Sequence, residues 1–141
     1  MRENRTYKAE VRYASKELTA KEKIAIKDTN SAHRLDEATD NGAELAINVD
    51  WFAQIDVHNE KSDNKDYNKI VLVDTDGEKY VTGSEHFTNT FLDIYEELCD
   101  SPEAENLAEG ESIEPFSIIV RQCESKNYKG KTFLTCELVC D

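Results

Sequence analysis

The stretch KIVLVDTDGEKYVTGSEHFTNTFLDIYEEL, residues 69–98, reads as two strands, a tight turn and a capped helix. Ile70, Val71, Leu72 and Val73 form a short apolar, mostly β-branched run bounded by turn residues, the signature of a strand at this length. Asp74-Thr-Asp-Gly77 follows; Asp side chains bond nearby amides and Gly accepts positive φ, so the chain should return as a hairpin through Glu78–Thr82. Gly83 ends that strand and Ser84 is placed to cap a helix. From Glu85 the period changes: Phe87, Phe91, Ile94, Tyr95 and Leu98 fall on one helical face, while Glu85, Asn89, Asp93, Glu96 and Glu97 fall on the other.

Upstream, Ala43, Leu45, Ile47, Val49, Trp51, Ala53, Ile55 and Val57 occupy every second position, with mostly polar residues between them. This period of two predicts a strand longer than usual, either curved to serve two parts of a barrel or interrupted by a bulge near Asp50. Residues 59–68 read as a polar loop. After the helix, Phe116–Val120 and Phe133–Val139 read as two more strands joined by the turn Ser125–Gly130, with Leu134, Cys136 and Leu138 on one face of the last. The order from residue 43 is strand, strand, strand, helix, strand, strand. That order is the topology of an OB-fold, a five-stranded Greek-key barrel, so the predicted class is mainly β with one central helix. The main alternative is another small antiparallel sheet packed on one helix.

Residues 1–42 read as an N-terminal extension packed on the barrel domain of residues 43–141. Tyr7, Ala9, Val11 and Tyr13 alternate with charged residues as in a short strand, paired within or between chains, which makes self-association an open expectation. Thr19-Ala-Lys-Glu22 has capping-box spacing ahead of Ile24-Ala-Ile26, although that triplet also suits a strand. Residues 28–42 read as a connection containing one helical turn within Ala32–Ala38.

With 141 residues, 38% hydrophobic content and a mean hydropathy of −0.70, the chain suits one domain with no apolar material to spare. No apolar run approaches the roughly 18 residues of a membrane span, and Met1–Glu10 lacks the apolar stretch of a signal peptide, so a soluble intracellular protein is expected. Cys99, Cys123, Cys136 and Cys140 lack zinc-site spacing and read as small core residues rather than disulfides.

Charge is distributed unevenly. Residues 1–27 carry eight bases and four acids, so the remainder of a chain with net charge −13 carries −17. Residues 96–114 hold eight acids and no base, which fits a solvated loop or a docking surface for a basic replication or host protein. Against this background, six of the nine bases beyond residue 27 cluster in or beside the two loops that grip a ligand in an OB-fold. Lys61, Lys65 and Lys69 accompany Tyr67 in one cluster; Lys126, Lys129 and Lys131 accompany Tyr128 and Phe133 in the other. Lysines neutralise phosphates and aromatic faces stack on bases, so this interleaving suits single-stranded nucleic acid. The blander reading is that such loops are simply polar surface. Lys79 and Arg121 would extend the platform from the strands, and Tyr80 fits either platform or core.

Catalytic readings are weaker. Ser125–Thr132 approaches a P-loop but lacks its first Gly and its helix; Ser62-Asp-Asn-Lys65 lies in one loop; Asp74–Gly77 lacks the further ligands of a calcium loop. His33, His58 and His86 form no local pair. We expect no enzyme, no cofactor and no metal.

His58-Asn-Glu-Lys-Ser-Asp-Asn-Lys-Asp-Tyr67, Asp76–Ser84 with Phe87 and Phe91, and Ser125-Lys-Asn-Tyr-Lys-Gly-Lys-Thr-Phe-Leu-Thr-Cys136 together resemble small phage-encoded single-stranded DNA-binding proteins from phages of Gram-positive bacteria. The resemblance extends to Asn4-Arg-Thr-Tyr7. It implies an OB-like, non-enzymatic protein that coats single strands during phage replication or recombination in the host cytoplasm, with Tyr67 and Tyr128 in its DNA-binding loops. Many such proteins end in a flexible acidic tail, whereas this sequence departs from that pattern in stopping at Cys140-Asp141 directly after its last expected strand; under the resemblance, Glu96–Glu114 is a candidate substitute. A second expectation, set by the −17 body, is an acidic inhibitor or DNA mimic that occupies the basic groove of a host protein.

Overall fold

The long alternating stretch becomes β3 (Leu45–Asn59), the strand on which the other elements assemble. A computed structural model describes residues 7–60, 66–100, 115–124 and 132–139. Along one edge of β3 runs β4 (Asp66–Asp74), antiparallel from Val49 to His58. The opposite edge is divided between two partners. Leu45–Val49 pairs with β6 (Phe116–Glu124), and Ala53–Asn59 pairs with β1 (Tyr7–Ala14) of the same chain.

From this centre the sheet extends both ways. β5 (Lys79–Thr82) lies antiparallel to β4, and β7 (Thr132–Leu138) antiparallel to β6. A two-residue strand, β2 (His33–Arg34), adds in parallel to the outer edge of β5. The order β2-β5-β4-β3-β6-β7 curls into an open half-barrel, and among the described residues its two ends do not pair. Helix α3 (Glu85–Cys99) crosses from β5 to β6.

Local chemistry explains the junctions. Asp74 Oδ1 accepts the amides of Asp76 and Glu78, each at 2.9 Å, and Gly77 takes φ +88°, which turns β4 back into β5. The Ser84 hydroxyl accepts the Phe87 amide at 3.2 Å and so begins α3 as expected. The capping box of Thr19 and Glu22 resolves the ambiguous triplet in favour of α1 (Ala20–Lys27). The helical turn expected in the following connection is α2 (Leu35–Ala38), but β2 immediately before it was not legible in the sequence.

β3 carries the bulge anticipated near Asp50. Val49 lies opposite Asp74 and Trp51 opposite Val73, so Asp50 is an extra residue in the ladder. The insertion exchanges faces: Ile47 and Val49 point toward α3, Phe52 replaces Trp51 in that role, and Ala53, Ile55 and Val57 point to the other side. Two cores result. One packs Phe52, Ile70, Leu72, Ile118, Val120, Leu134 and Cys136 against Phe87 and Phe91 of α3. The other packs Ile55, Val57, Val71, Val73 and Val81 against Ile26 of α1, with Ala9 and Val11 of β1 alongside. Because β4 is covered on both faces, its Ile-Val-Leu-Val run is buried throughout.

Candidate functional site

The predicted polar loop at residues 59–68 is shorter than its composition implies. β3 continues to Asn59 and β4 begins at Asp66, so Tyr67 and Lys69 stand on a strand, facing the same side as Val71 and Val73. Polar strand ends resemble a loop in sequence, although Asp66–Asn68 pairs in register with Asp56–His58.

On that side, the sheet and the N-terminal segment enclose a cleft of about 440 Å³ lined by Thr29, Arg34, Asp36, Tyr67, Lys69 and Thr82. The Lys69 ammonium donates to Thr29 Oγ1 at 3.2 Å and lies 5.6 Å from the centre of the Tyr67 ring. Its proton affinity is lowered, first by burial and then by the positive charge of Arg34. Among the described residues, neither Lys69 nor Arg34 forms an ion pair with a carboxylate. Among the described residues, the cleft therefore gathers two cations, hydroxyl groups and one aromatic side chain, with a single carboxylate, Asp36, on its wall.

The other expected contacts separate. Lys79 donates to the carbonyls of Ala25 and Asp28, both at 2.8 Å, and so ties the C-terminal end of α1 to β5. Arg121 pairs with Glu137 across β6 and β7 at 2.9 Å. Phe133 meets His86 edge to face, with ring centres 4.8 Å apart, where β7 approaches the start of α3. Tyr80 is half-buried against the α3-side core and stacks obliquely on His33 at 5.3 Å. Lys61, Lys65, Lys126, Tyr128, Lys129 and Lys131 lie outside the described residues, as does the acidic stretch from residue 101 to 114. The outer face of β4 and β5, on which an OB-fold would present its ligand platform, is partly occupied by α1 and its Ile26.

Arg34 was not singled out by sequence reasoning. Its surroundings are turn formers, and only the fold brings it to Lys69; the available cue was that it is the sole Lys or Arg between residues 28 and 60.

A second polar surface lies beyond the reach of α3, where β1, β3 and β4 present Lys8, Glu10, Arg12, Asp56, His58 and Asp66. Here His58 bonds Asp66 through Nδ1 and Glu60 through Nε2, each at 2.7 Å, and its pKa is raised by these two contacts, that to Asp66 foremost. This bridge joins the two strand ends that flank residues 61–65. Among the described residues, no group of three or more His, Cys, Asp or Glu is placed to hold a metal ion, and no helix is long and apolar enough to cross a membrane.

Comparisons with protein-family models, curated proteins and solved structures gave no match for this chain.

Proposed function

We propose that the chain binds single-stranded DNA with little sequence preference. One observation carries this reading: Arg34, Lys69 and Tyr67 share a cleft in a chain whose net charge is −13. Cations that pair with no carboxylate among the described residues, set beside an aromatic ring, are the elements of a phosphate-and-base contact. Lys61 and Lys65 adjoin this region in sequence and would add phosphate contacts, as would Lys126, Lys129 and Lys131.

The strand path supports the same reading. β3, β4, β5, α3, β6 and β7 follow the chain order of an OB-fold, with β5 and β7 left unjoined. The negative total opposes long-range attraction. At physiological salt, however, charges beyond about 8 Å are largely screened, so a local cationic cleft governs contact. Coating of exposed strands in phage replication or recombination is the role that the sequence resemblance adds.

The test is fluorescence anisotropy with labelled oligo-dT of about 20 nucleotides, long enough for one OB-type site, against a duplex of equal length. Binding of the single strand in preference to the duplex is expected. No binding of oligo-dT at about 50 mM salt overturns the reading.

A further inference from the structure

We infer that the cleft between the N-terminal segment and β4–β5 is a nucleotide subsite, which holds one phosphate between Arg34 and Lys69 with the attached sugar and base against Tyr67. This deepens the single-strand reading and rests on it for one of two possible sources, a strand or a free nucleotide.

Three features define the ligand. Lys69 is partly stripped of water and shares the cleft with the Arg34 charge, whose repulsion it feels, so that an anion bound beside both groups would relieve it. A phosphate suits the gap: the guanidinium offers a planar fork to two oxygens and the ammonium a point charge to a third. Thr29 already accepts a hydrogen bond from Lys69, so its own O–H remains available to a phosphate oxygen.

Size and polarity extend this to a nucleotide. A volume of about 440 Å³ lies within the range of small-molecule sites and exceeds the needs of a bare phosphate. Asp36 on the wall disfavours a second phosphate and accepts a hydrogen bond from a sugar hydroxyl or a base N–H. Tyr67, only partly buried beside the sheet's second core, lines the cleft and supplies its aromatic surface next to the Lys69 ammonium.

Calorimetric titration with dTMP and with thymidine tests the subsite, using the wild-type chain, R34Q and K69Q. Arg34 is exposed, so R34Q is expected to retain the wild-type circular dichroism spectrum even if K69Q does not. The wild type should bind dTMP about tenfold or more tightly than thymidine, and R34Q should lose that preference. Equal binding of dTMP and thymidine, no binding of either, or undiminished dTMP binding by R34Q overturns the subsite. Oligo-dT titrations of the same proteins identify the source. Weakened oligo-dT binding by R34Q assigns the cleft to a strand; dTMP binding without oligo-dT binding supports a free-nucleotide site and overturns the single-strand reading. Oligo-dT binding without dTMP binding overturns the subsite alone.

Discussion

Replacing Phe52 and Trp51 separately by Ala tests the face exchange within β3. Phe52 is fully buried and meets Phe91 and Tyr95 edge to face, with ring centres 4.9 and 4.8 Å apart. Truncating a buried Phe to Ala costs about 3–5 kcal/mol, and loss of two edge-to-face pairs places this site toward the upper end. Trp51 is only partly buried on the opposite face, where Lys16 lies 4.6 Å from its ring centre. Losing that contact and part of the ring's burial should cost about 1–2 kcal/mol. Urea unfolding followed by circular dichroism avoids reliance on the tryptophan signal. With a slope near 2 kcal/mol per molar urea, Phe52→Ala should lower the midpoint by about 2 M and Trp51→Ala by less than about 1 M. A Trp51→Ala variant as destabilised as Phe52→Ala would refute the bulge and the assignment of both cores.

The His58 bridge should make stability depend on pH. Its folded pKa is raised, so the stabilisation is fully present below the ordinary imidazole value of about 6.5 and is lost as pH rises through the folded value. The urea midpoint of wild type should exceed that of His58→Gln most at about pH 5.5, with the difference shrinking by pH 8.5; a constant difference would contradict the bridge. Lys8, Arg12 and Asp56 share that surface and should be kept unchanged in the comparison. Cys136 is buried and its thiol is pushed up to about 12, chiefly by burial. Mass spectrometry after iodoacetamide treatment should find it alkylated only in the presence of urea. Thr19→Ala removes the side-chain half of the capping box and should cost about 1 kcal/mol, a fall of about half a molar in the urea midpoint.

Much of the architecture was legible where local chemistry alone decides conformation. The Asp74–Gly77 turn, the Ser84 cap and the helical spacing of Phe87 and Phe91 require no distant partner, and each occurs as read. The period of two along β3 revealed a strand but not its sidedness, because one inserted residue at Asp50 sends Val49 and Ala53 to opposite cores without disturbing the alternation of residue types. Polar strand ends were illegible for a related reason: Asp66–Asn68 is extended only because β3 pairs with it. β2 is the extreme case, since a two-residue strand has no period and exists through its bonds to β5.

The candidate site was legible in part. Tyr67 and Lys69 were identified from the interleaving of bases and aromatics, and they do share a cleft. Lys79 and Arg121 fitted the same charge argument, but sequence does not show that one meets the carbonyls ending α1 and the other meets Glu137. Arg34 lay hidden because its relation to Lys69 spans α2, β3 and a parallel strand contact.

The most direct measurement is the dependence of oligo-dT affinity on salt. Each phosphate neutralised on a single strand contributes about 0.7 to the slope of log affinity against log salt. Engagement of the cleft cations together with the lysines of at least one of the two clusters, Lys61 and Lys65 or Lys126, Lys129 and Lys131, predicts a slope of about −2 or steeper, and R34Q should make it shallower by about 0.7. Binding indifferent to salt, or no binding at about 50 mM salt, would contradict the assignment of this chain to single-stranded DNA.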